Sequence, residues 1–374
     1  LIFFNSMKPG MHLVKVDSET LKPLPNATYL ISQVGGSYSK EFVTDANGEI
    51  DLSKLDPGTY TVKETKAPEG YLIDDGARII KLNAGEDAQF VFTDTPKPSL
   101  TVVKYDPNTG DYLAGATFRI AKVEDGSHYL DRVSDTNGRI TITALEPGVY
   151  SVQELAAPSG YVLNTTEYHV ELFPGKESQL VVTNEAKPDL RIVKTDAITG
   201  EPVQGVTFTI KMADGRTITT EATDSNGEIF LADMEPGVVE IWEQSVPSNY
   251  LLNEEHQLIT LVPNKLATVQ FQNYPKPGLT IYKVDSVTGD PIKGAKFSIT
   301  YASNNTVTGE INSLGNFTSD ENGMITLTNL EDGWYKITET EPAPGYSMKE
   351  PTTQEIYIKA GTSKSVTFEN IPLS

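Results

Sequence analysis

The sequence predicts an all-β protein made of tandem antiparallel β-sandwiches. Apolar and polar residues alternate over short runs, as in strands that turn one face to a core. Turn residues bound these runs, and the 374 residues include 29 glycines and 23 prolines. A unit of about 90 residues also recurs four times, and no segment shows sustained helical periodicity.

Each unit contains the same series of landmarks. It opens on an apolar strand with a lysine, and these lysines lie 89, 90 and 89 residues apart. A segment ending in Asn-Gly-x-Ile then occupies residues 43–50, 133–140, 222–229 and 318–325. An acidic-Pro-Gly turn follows at residues 56–58, 146–148 and 235–237, and the fourth copy has Glu331-Asp332-Gly333 instead. A box that starts with Glu and ends with Tyr spans residues 64–71, 154–161, 243–250 and 339–346. Gly and Asn accept positive φ, so the turns predict tight links between strands.

Lys-Pro pairs mark the junctions between units. Proline fixes φ and restricts the preceding residue, so the junctions are predicted to be short and stiff and the array an elongated rod. The predicted repeats cover residues 8–96, 97–186, 187–275 and 276–374. Residues 1–7 are predicted to be the last strand of a preceding repeat, since Ile2-Phe3-Phe4-Asn5 matches the closing strand 269–273. Further repeats are therefore expected upstream.

Composition excludes several classes of function. A formal net charge of −21 argues against nucleic acid or an anionic membrane surface as partner. The chain has no cysteine, which excludes disulfides, thiolate metal sites and thiol catalysis. No apolar run is long enough to span a membrane, so direct insertion is not expected.

No metal or cofactor site is predicted. The four histidines have no ligand spacing. The Asp-x-Asn-Gly segments resemble a calcium loop only in part, because the glycine stands at the wrong place, and a turn is the preferred interpretation.

Strand alternation places three polar groups in each predicted core. In the first repeat Lys15 is in phase with Leu13, Glu64 with Val62, and Asp94 with the phenylalanines before it. The Glu-to-Asx spacing is 30, 30, 30 and 31 residues. The four sets are Lys15, Glu64 and Asp94; Lys104, Glu154 and Asn184; Lys194, Glu243 and Asn273; and Lys283, Glu339 and Asn370.

Two interpretations of these sets are open. Burying the groups separately would cost several kcal/mol each, so one interpretation is a buried salt bridge with a hydrogen-bonded amide. In the other, burial lowers the pKa of the lysine and raises that of the glutamate. A neutral amine could then attack the Asx side-chain carbonyl, with the glutamate polarising that carbonyl and moving protons. The product would be a Lys–Asx isopeptide bond, with ammonia leaving from Asn and water from Asp.

The repeat resembles the B-type domain of Gram-positive surface adhesins and pilins, a prealbumin-like sandwich. The features that match are the opening strand with its lysine, the box Tyr-x-Val-x-Glu-x-x-Ala-Pro-x-Gly-Tyr, and the closing Phe-x-Asn strand. The resemblance runs from Lys8 to the C-terminus. It implies export, attachment to the cell wall and intramolecular isopeptide bonds assisted by Glu64, Glu154, Glu243 and Glu339. The implied bonds join Lys15 to Asp94, Lys104 to Asn184, Lys194 to Asn273 and Lys283 to Asn370.

Three repeats depart from this pattern. The first ends in Asp94, so its bond would form by loss of water. The third has Asn249 in place of the box glycine and Val239 where the others have Tyr. The fourth has a longer middle between Tyr301 and Phe317, which reads as an extended hairpin or surface loop.

Two functions are consistent with the sequence. The first is a stalk that holds an active region away from the cell wall, extracellular and anchored through segments outside this chain. The second is a module that binds a host matrix protein or glycan, with the fourth repeat and its Trp334 as the first place to look. No constellation supports an enzyme acting on an external substrate; the only chemistry indicated is self-directed.

Overall fold

The computed structural model describes residues 7–124, 126, 129–303 and 312–373. Within those ranges every regular element is a β-strand, and no helix there could cross a membrane. The chain forms two compact units, Leu1–Ala186 and Lys187–Ser374. The predicted strand in residues 1–7 falls almost entirely outside the described residues.

The first unit contains strands β1 to β14. The first repeat has β1 (Gly10–Asp17), β2 (Thr28–Gln33), β3 (Ser39–Val43), β4 (Glu49–Leu52), β5 (Gly58–Lys66), β6 (Ala77–Leu82) and β7 (Asp87–Asp94). The second has β8 (Ser99–Tyr105), β9 (Thr117–Lys122), β10 (Tyr129–Val133), β11 (Arg139–Ile142), β12 (Gly148–Ala156), β13 (Glu167–Leu172) and β14 (Glu177–Thr183).

The second unit contains strands β15 to β29. The third repeat has β15 (Asp189–Asp196), β16 (Thr207–Lys211), β17 (Thr217–Thr219), β18 (Glu228–Leu231), β19 (Gly237–Ser245), β20 (Gln257–Leu261) and β21 (Leu266–Asn273). The fourth has β22 (Leu279–Asp285), β23 (Lys296–Ser303), β24 (Asn312–Thr318), β25 (Met324–Leu327), β26 (Gly333–Glu341), β27 (Tyr346–Met348), β28 (Thr353–Ile358) and β29 (Lys364–Pro372).

Each repeat is a sandwich of two sheets. In the second repeat one sheet has the order β10-β9-β12-β13 and the other β11-β8-β14. The first and third repeats have the same order, and the fourth adds the short β27 beside its last strand. The predicted all-β class and tandem sandwiches are confirmed.

One strand pair in each sandwich is parallel. The first and last strands, β1 and β7 in the first repeat, run side by side in the same direction, and all other pairs are antiparallel. The sequence predicts antiparallel sheets only, so these four parallel pairs differ from the prediction. Alternation has the same period of two residues in both arrangements, so it does not reveal strand direction.

Each sandwich encloses its own apolar core. In the second repeat the core includes Val102, Phe118, Ile140, Val152 and Val182, contributed by both sheets. Corresponding clusters fill the other three repeats. The phase predicted for the lysine, glutamate and Asx strands therefore matches the faces that are buried.

A tight turn holds the opening strand in place beside its lysine. Gly138 has φ 66°, and its carbonyl accepts the Lys104 N–H at 2.7 Å. A Cβ on Gly138 would lie 2.4 Å from the Lys104 carbonyl oxygen, so only glycine fits here. In the same turn the Asp135 carboxylate accepts the N–H groups of Asn137 and Arg139, as expected for an Asx turn.

The linker between the first two repeats bonds to both of them. The N–H of Lys97 donates to the Gly70 carbonyl of the first repeat at 2.8 Å. The Lys97 ammonium pairs with Glu146 of the second repeat at 2.5 Å. The Pro96 carbonyl accepts the N–H of Gly175 at 2.8 Å.

The longer middle of the fourth repeat lies between two paired strands. β23 and β24 pair antiparallel on either side of it, with Phe297 opposite Phe317. Residues 304–311 lie outside the described residues.

Candidate cross-linking site

The lysine and Asx side chains come from the two parallel strands. Lys104 on β8 lies opposite Val182 on β14, and Asn184 follows two positions later on the same face. In the third and fourth repeats the lysine lies opposite a phenylalanine, and the Asx opposite the aspartate two residues after the lysine. The first and last strands of a repeat therefore bring both groups to one point in the core.

The glutamate reaches this point from the other sheet. Glu154 lies on β12 opposite Phe118, next to a bulge at which the register shifts before Ala156. Both sheets are buried against each other here, and all twelve predicted side chains are at most 4% exposed. The structure thus brings every predicted set of three residues together.

In the second and third repeats one carboxylate contacts both other groups. Glu154 Oε1 lies 3.5 Å from Lys104 Nζ, and Glu154 Oε2 accepts a hydrogen bond from Asn184 Nδ2 at 3.1 Å. In the third repeat the corresponding distances from Glu243 are 3.4 Å to Lys194 and 2.9 Å to Asn273. The glutamate therefore bridges an amine and an amide nitrogen.

A backbone carbonyl takes the second N–H of the amide. Asn184 Nδ2 donates to the Val162 carbonyl at 2.9 Å, and Asn273 Nδ2 to the Leu251 carbonyl at 2.6 Å. The oxygens Asn184 Oδ1 and Asn273 Oδ1 have no hydrogen-bond partner although they are buried. Unpaired buried acceptors are uncommon, and here the glutamate contacts the amide nitrogen and not the carbonyl oxygen.

The fourth repeat keeps the bridge but binds the amide differently. Lys283 donates to Glu339 Oε2 at 2.8 Å, and Asn370 donates to Glu339 Oε1 at 2.9 Å. Here Asn370 Oδ1 accepts the N–H of Ala343 at 3.2 Å. A backbone donor at the amide oxygen would stabilise negative charge that develops there.

The first repeat has two carboxylates around one amine. Lys15 Nζ lies 2.5 Å from Asp94 Oδ1 and 3.2 Å from Glu64 Oε1. Asp94 Oδ2 is buried with no hydrogen-bond partner. In the second repeat the amide nitrogen of the corresponding residue, Asn184 Nδ2, has two hydrogen-bond partners. Burial raises the pKa of Glu64 to about 7, against the opposing effects of the Asp74 N–H and Lys15.

Burial also changes the acidity of the lysines. Loss of solvent lowers the pKa of Lys104 to about 8, although Glu154 partly offsets it. The pKa values of Lys194 and Lys283 are lowered by the same cause. A lysine with a lowered pKa supplies more of the neutral amine, which is the nucleophile.

Sequence reasoning missed a second pair in every repeat, a buried aspartate bonded to a half-buried tyrosine. Asp106, two residues after Lys104, accepts a hydrogen bond from the Tyr161 hydroxyl at 3.2 Å. The other pairs are Asp17 with Tyr71, Asp196 with Tyr250 and Asp285 with Tyr346. The signal was present, because Lys-x-Asp occurs in all four opening strands and the tyrosine ends all four boxes.

A histidine lies between two carboxylates on the surface of the first repeat. His12 on β1 contacts Asp51 on β4, and its Nε2 lies 3.7 Å from Glu49 Oε1. The hydrogen bond to Asp51 is the main cause that raises the pKa of His12. The three residues could offer ligands to a metal ion, but the imidazole of His12 already pairs with the carboxylates of Glu49 and Asp51.

The site can support an intramolecular condensation. A buried amine and a side-chain amide both contact one carboxyl group, which can exchange protons with each of them. The roles assigned to the twelve residues remain predictions.

A family comparison decides what kind of repeat this is. The model of the SpaA prealbumin-like fold domain matches four successive segments, residues 10–96, 98–186, 188–275 and 277–372. The chain belongs to the SpaA prealbumin-like domain family. It consists of four tandem copies of this domain.

Two relatives of this SpaA-domain chain are staphylococcal. Serine-aspartate repeat-containing protein D of Staphylococcus aureus strain Newman is 25% identical over 397 residues, covering 88% of this chain and 29% of that protein. The collagen adhesin of Staphylococcus aureus is 28% identical over 233 residues, covering 53% of this chain and 18% of the adhesin. The chain spans less than a third of either relative.

Solved structures with similar domains include a Bacillus anthracis protein and a pilin. The Bacillus anthracis TIE protein is 21% identical with a TM-score of 0.34, covering 95% of this chain and 73% of that one. BcpA, the major pilin subunit of Bacillus cereus, is 19% identical with a TM-score of 0.30, covering 74% of this chain and all of the pilin. The family match, not these likenesses, supports the fold.

Proposed function

We propose that the chain is the stalk region of a cell-wall-anchored surface adhesin or pilin, stiffened by a self-formed isopeptide bond in each repeat. The observation that carries the proposal is the bridging glutamate, which contacts the lysine and the Asx of two parallel terminal strands. The stalk would be extracellular. Its four domains would cover residues 8–96, 97–186, 187–275 and 276–374.

The reaction in the second repeat begins with one proton transfer. The Lys104 ammonium gives a proton to Glu154 Oε1, which leaves a neutral amine beside a carboxylic acid. The amine then attacks Cγ of Asn184 and forms a tetrahedral intermediate.

The same glutamate completes the step. Glu154 delivers its proton to Nδ2, which it already contacts, and accepts the second proton from Nζ. The C–N bond to Nδ2 breaks, ammonia leaves, and an amide joins Lys104 to Asn184. No cofactor is required. At the end the glutamate is protonated, and ammonia leaves as a neutral molecule.

The first repeat would lose water instead. Its Asp94 must be protonated for Oδ2 to leave, and the raised pKa of Glu64 keeps a proton available within the site. Asp94 Oδ2 is buried with no hydrogen-bond partner, so protonation would remove negative charge from an oxygen that no donor stabilises.

Such a bond suits a chain that is pulled from its ends. Tension along the chain loads the first and last strands of each repeat, and a covalent link between them would carry the load past the rest of the fold. Closing a loop of about 80 residues also stabilises the folded state by on the order of 4–5 kcal/mol in the chain-entropy description.

The intact mass of the purified, denatured chain tests the proposal. Closure of all four repeats predicts the loss of three molecules of ammonia and one of water relative to the sequence. A mass equal to that of the sequence would refute the cross-linking mechanism. A deficit of ammonia alone would exclude the first repeat.

A second candidate is a binding module for a host matrix protein or glycan, centred on the fourth repeat. Trp334 is 51% exposed on the outward face of β26, and its ring lies 5.4 Å from that of Tyr357 on β28. Exposed aromatic pairs present apolar area with little entropy to lose on binding.

A solid-phase screen against matrix proteins and glycans separates the two candidates. The binding module predicts a ligand whose retention falls when Trp334→Ala is introduced and is unchanged by Val149→Ala, at the aligned outward position of the second repeat. A stalk alone predicts no retained ligand in the screen.

A further inference from the structure

We propose that Asp106 with Tyr161, and Asp196 with Tyr250, are positioning residues for the cross-linking reaction. Each pair holds a backbone carbonyl that fixes the orientation of the asparagine amide. This inference rests on the proposed function of the preceding subsection.

The orientation of the amide matters because its two ends are chemically different. The amine must approach the carbonyl carbon while Nδ2 stays near a proton donor. Asn184 Nδ2 has two N–H groups, and these go to Glu154 Oε2 and to the Val162 carbonyl. If the Val162 carbonyl moved away, the amide could rotate, and the leaving nitrogen would lose its fixed place.

The Val162 carbonyl is held by the residue before it. The Tyr161 hydroxyl donates to Asp106 Oδ2 at 3.2 Å and ties the box to the opening strand. The Val162 N–H donates to the Glu185 carbonyl at 2.9 Å and ties it to the chain just after Asn184. The box thus bridges the strands that carry the two reacting groups.

Asp106 is built to accept this bond. It is 1% exposed, and its other oxygen accepts the N–H groups of Asn108 and Thr109. Burial works to raise the pKa of Asp106, but the Asn108, Thr109 and Tyr161 donors outweigh it and lower that pKa. Burial and Asp106 raise the pKa of Tyr161, so an ionised acceptor meets a protonated donor.

The third repeat shows the same chain of contacts. Tyr250 donates to Asp196 Oδ2 at 2.9 Å, and the next residue, Leu251, accepts Asn273 Nδ2 at 2.6 Å. The fourth repeat differs, because Asn370 Nδ2 donates to the Glu369 carbonyl instead. The proposal is therefore confined to the second and third repeats.

The test follows closure in time in the complete chain. The chain is made by cell-free translation, samples are quenched with acid at intervals, and peptides of each repeat are scored as linked or linear. Tyr161→Phe is expected to slow closure of the second repeat about tenfold, the effect of losing one hydrogen bond to a charged group. The other repeats in the same molecule should close at their usual rates.

Tyr150→Phe is the matched control. It removes a hydroxyl of the same repeat that donates to the Glu146 carbonyl at 3.0 Å, and that bond involves neither Asn184 nor Val162. Hydrogen exchange of the second repeat monitors its stability in both variants. We expect only Tyr161→Phe to slow closure beyond what its change in exchange protection explains.

Tyr250→Phe repeats the test in the third repeat if Tyr161→Phe does not fold. Closure of Tyr161→Phe at the wild-type rate, or equal slowing by Tyr150→Phe, would overturn the positioning role and leave the cross-link intact. A wild-type chain in which the second and third repeats never close would overturn both proposals.

Discussion

Glu154 contacts both side chains of the proposed reaction, because its two oxygens face different groups. One oxygen lies near the amine of Lys104 and the other accepts the amide of Asn184. A single carboxyl group can therefore take a proton from one and give it to the other. Removing that carboxyl should stop the reaction even though amine and amide stay in place.

Glu154→Gln should abolish the bond of the second repeat and lower its melting temperature, and Glu154→Ala should do the same. Glutamine keeps the shape of the side chain but cannot accept and return a proton in this way. Peptide mapping by mass spectrometry would find Lys104 and Asn184 unlinked. The other three repeats serve as controls, and a bond that still forms would show that the role given to Glu154 is wrong.

Stability of an unlinked second repeat should depend on pH through Lys104. Its folded-state pKa of about 8 lies below the unfolded value, so the unfolded chain binds more protons between the two. In an Asn184→Ala chain, the free energy of unfolding should therefore rise from pH 8 to about pH 10, by on the order of 2 kcal/mol.

Pulse proteolysis in denaturant, read on peptides of the second repeat, would measure this rise. The control carries Lys104→Met in addition, which keeps a long side chain without a titrating amine. An equal rise in the control would show that another group is responsible.

Alternation was enough to predict which residues enter the core, because the side chain of every second strand residue faces the same way. It placed Lys104, Glu154 and Asn184 correctly. It could not show which oxygen of Glu154 faces which partner, since that depends on the distance between sheets and on side-chain torsions. The Asp106–Tyr161 bond joins the end of the opening strand to the box. The repeated Lys-x-Asp and the box tyrosine mark both residues, but alternation does not show that they contact each other.

At the scale of elements, the turn before β11 fixes the strand that carries Lys104. The Gly138 carbonyl accepts the Lys104 N–H, and the glycine lies against the backbone of β8. Any side chain at this turn would press on the strand at the reacting lysine.

Gly138→Ala should destabilise the second repeat by several kcal/mol and slow its closure. A positive φ alone costs an alanine about 1–2 kcal/mol, and the contact with the Lys104 carbonyl oxygen adds to it. Gly110→Ala is the matched control, because Gly110 has φ 81° with no atom near its missing Cβ. Denaturant unfolding would compare the two, and equal losses would contradict the argument from contact.

The elements themselves were largely predictable, and their partners were not. The turns at Gly48 and Gly138 were expected from Asp-x-Asn-Gly, and both glycines have positive φ. The alternating pattern could not predict the order of the strands or the parallel pair, because both depend on contacts between residues about 80 positions apart. The buried hydroxyl of Ser134 also donates to the Leu113 carbonyl and accepts the Ala116 N–H. The alternating pattern does not predict these bonds.

At the scale of the molecule, parallel terminal strands set how each repeat bears load. The chain enters a repeat at one end of the sheet and leaves at the opposite end, because β8 and β14 run in the same direction. Pulling the ends apart then shears the whole ladder of hydrogen bonds at once. The proposed bond would lie across that ladder.

Single-molecule stretching should find no unfolding length from a closed repeat. With Lys104→Ala, the second repeat should open and release the segment up to Asn184, about 280 Å of chain at full extension. Lys122→Ala, at a half-buried lysine outside the core of the same repeat, should release none. Release of that length from the unaltered chain would contradict closure of the second repeat.

The pairing of first and last strands also sets the order in which a repeat can be completed during synthesis. Strand β8 is made early, and its neighbour β14 is the last strand of the repeat to emerge. Until then one edge of β8 is open, which in an array of similar repeats invites pairing with the wrong copy. By that time the last strand of the preceding repeat, β7, has been synthesised together with its own partner, β1. Because the chain is synthesised from its N-terminus, the last strand of each repeat becomes available to the first strand of that repeat before the last strands of later repeats are made.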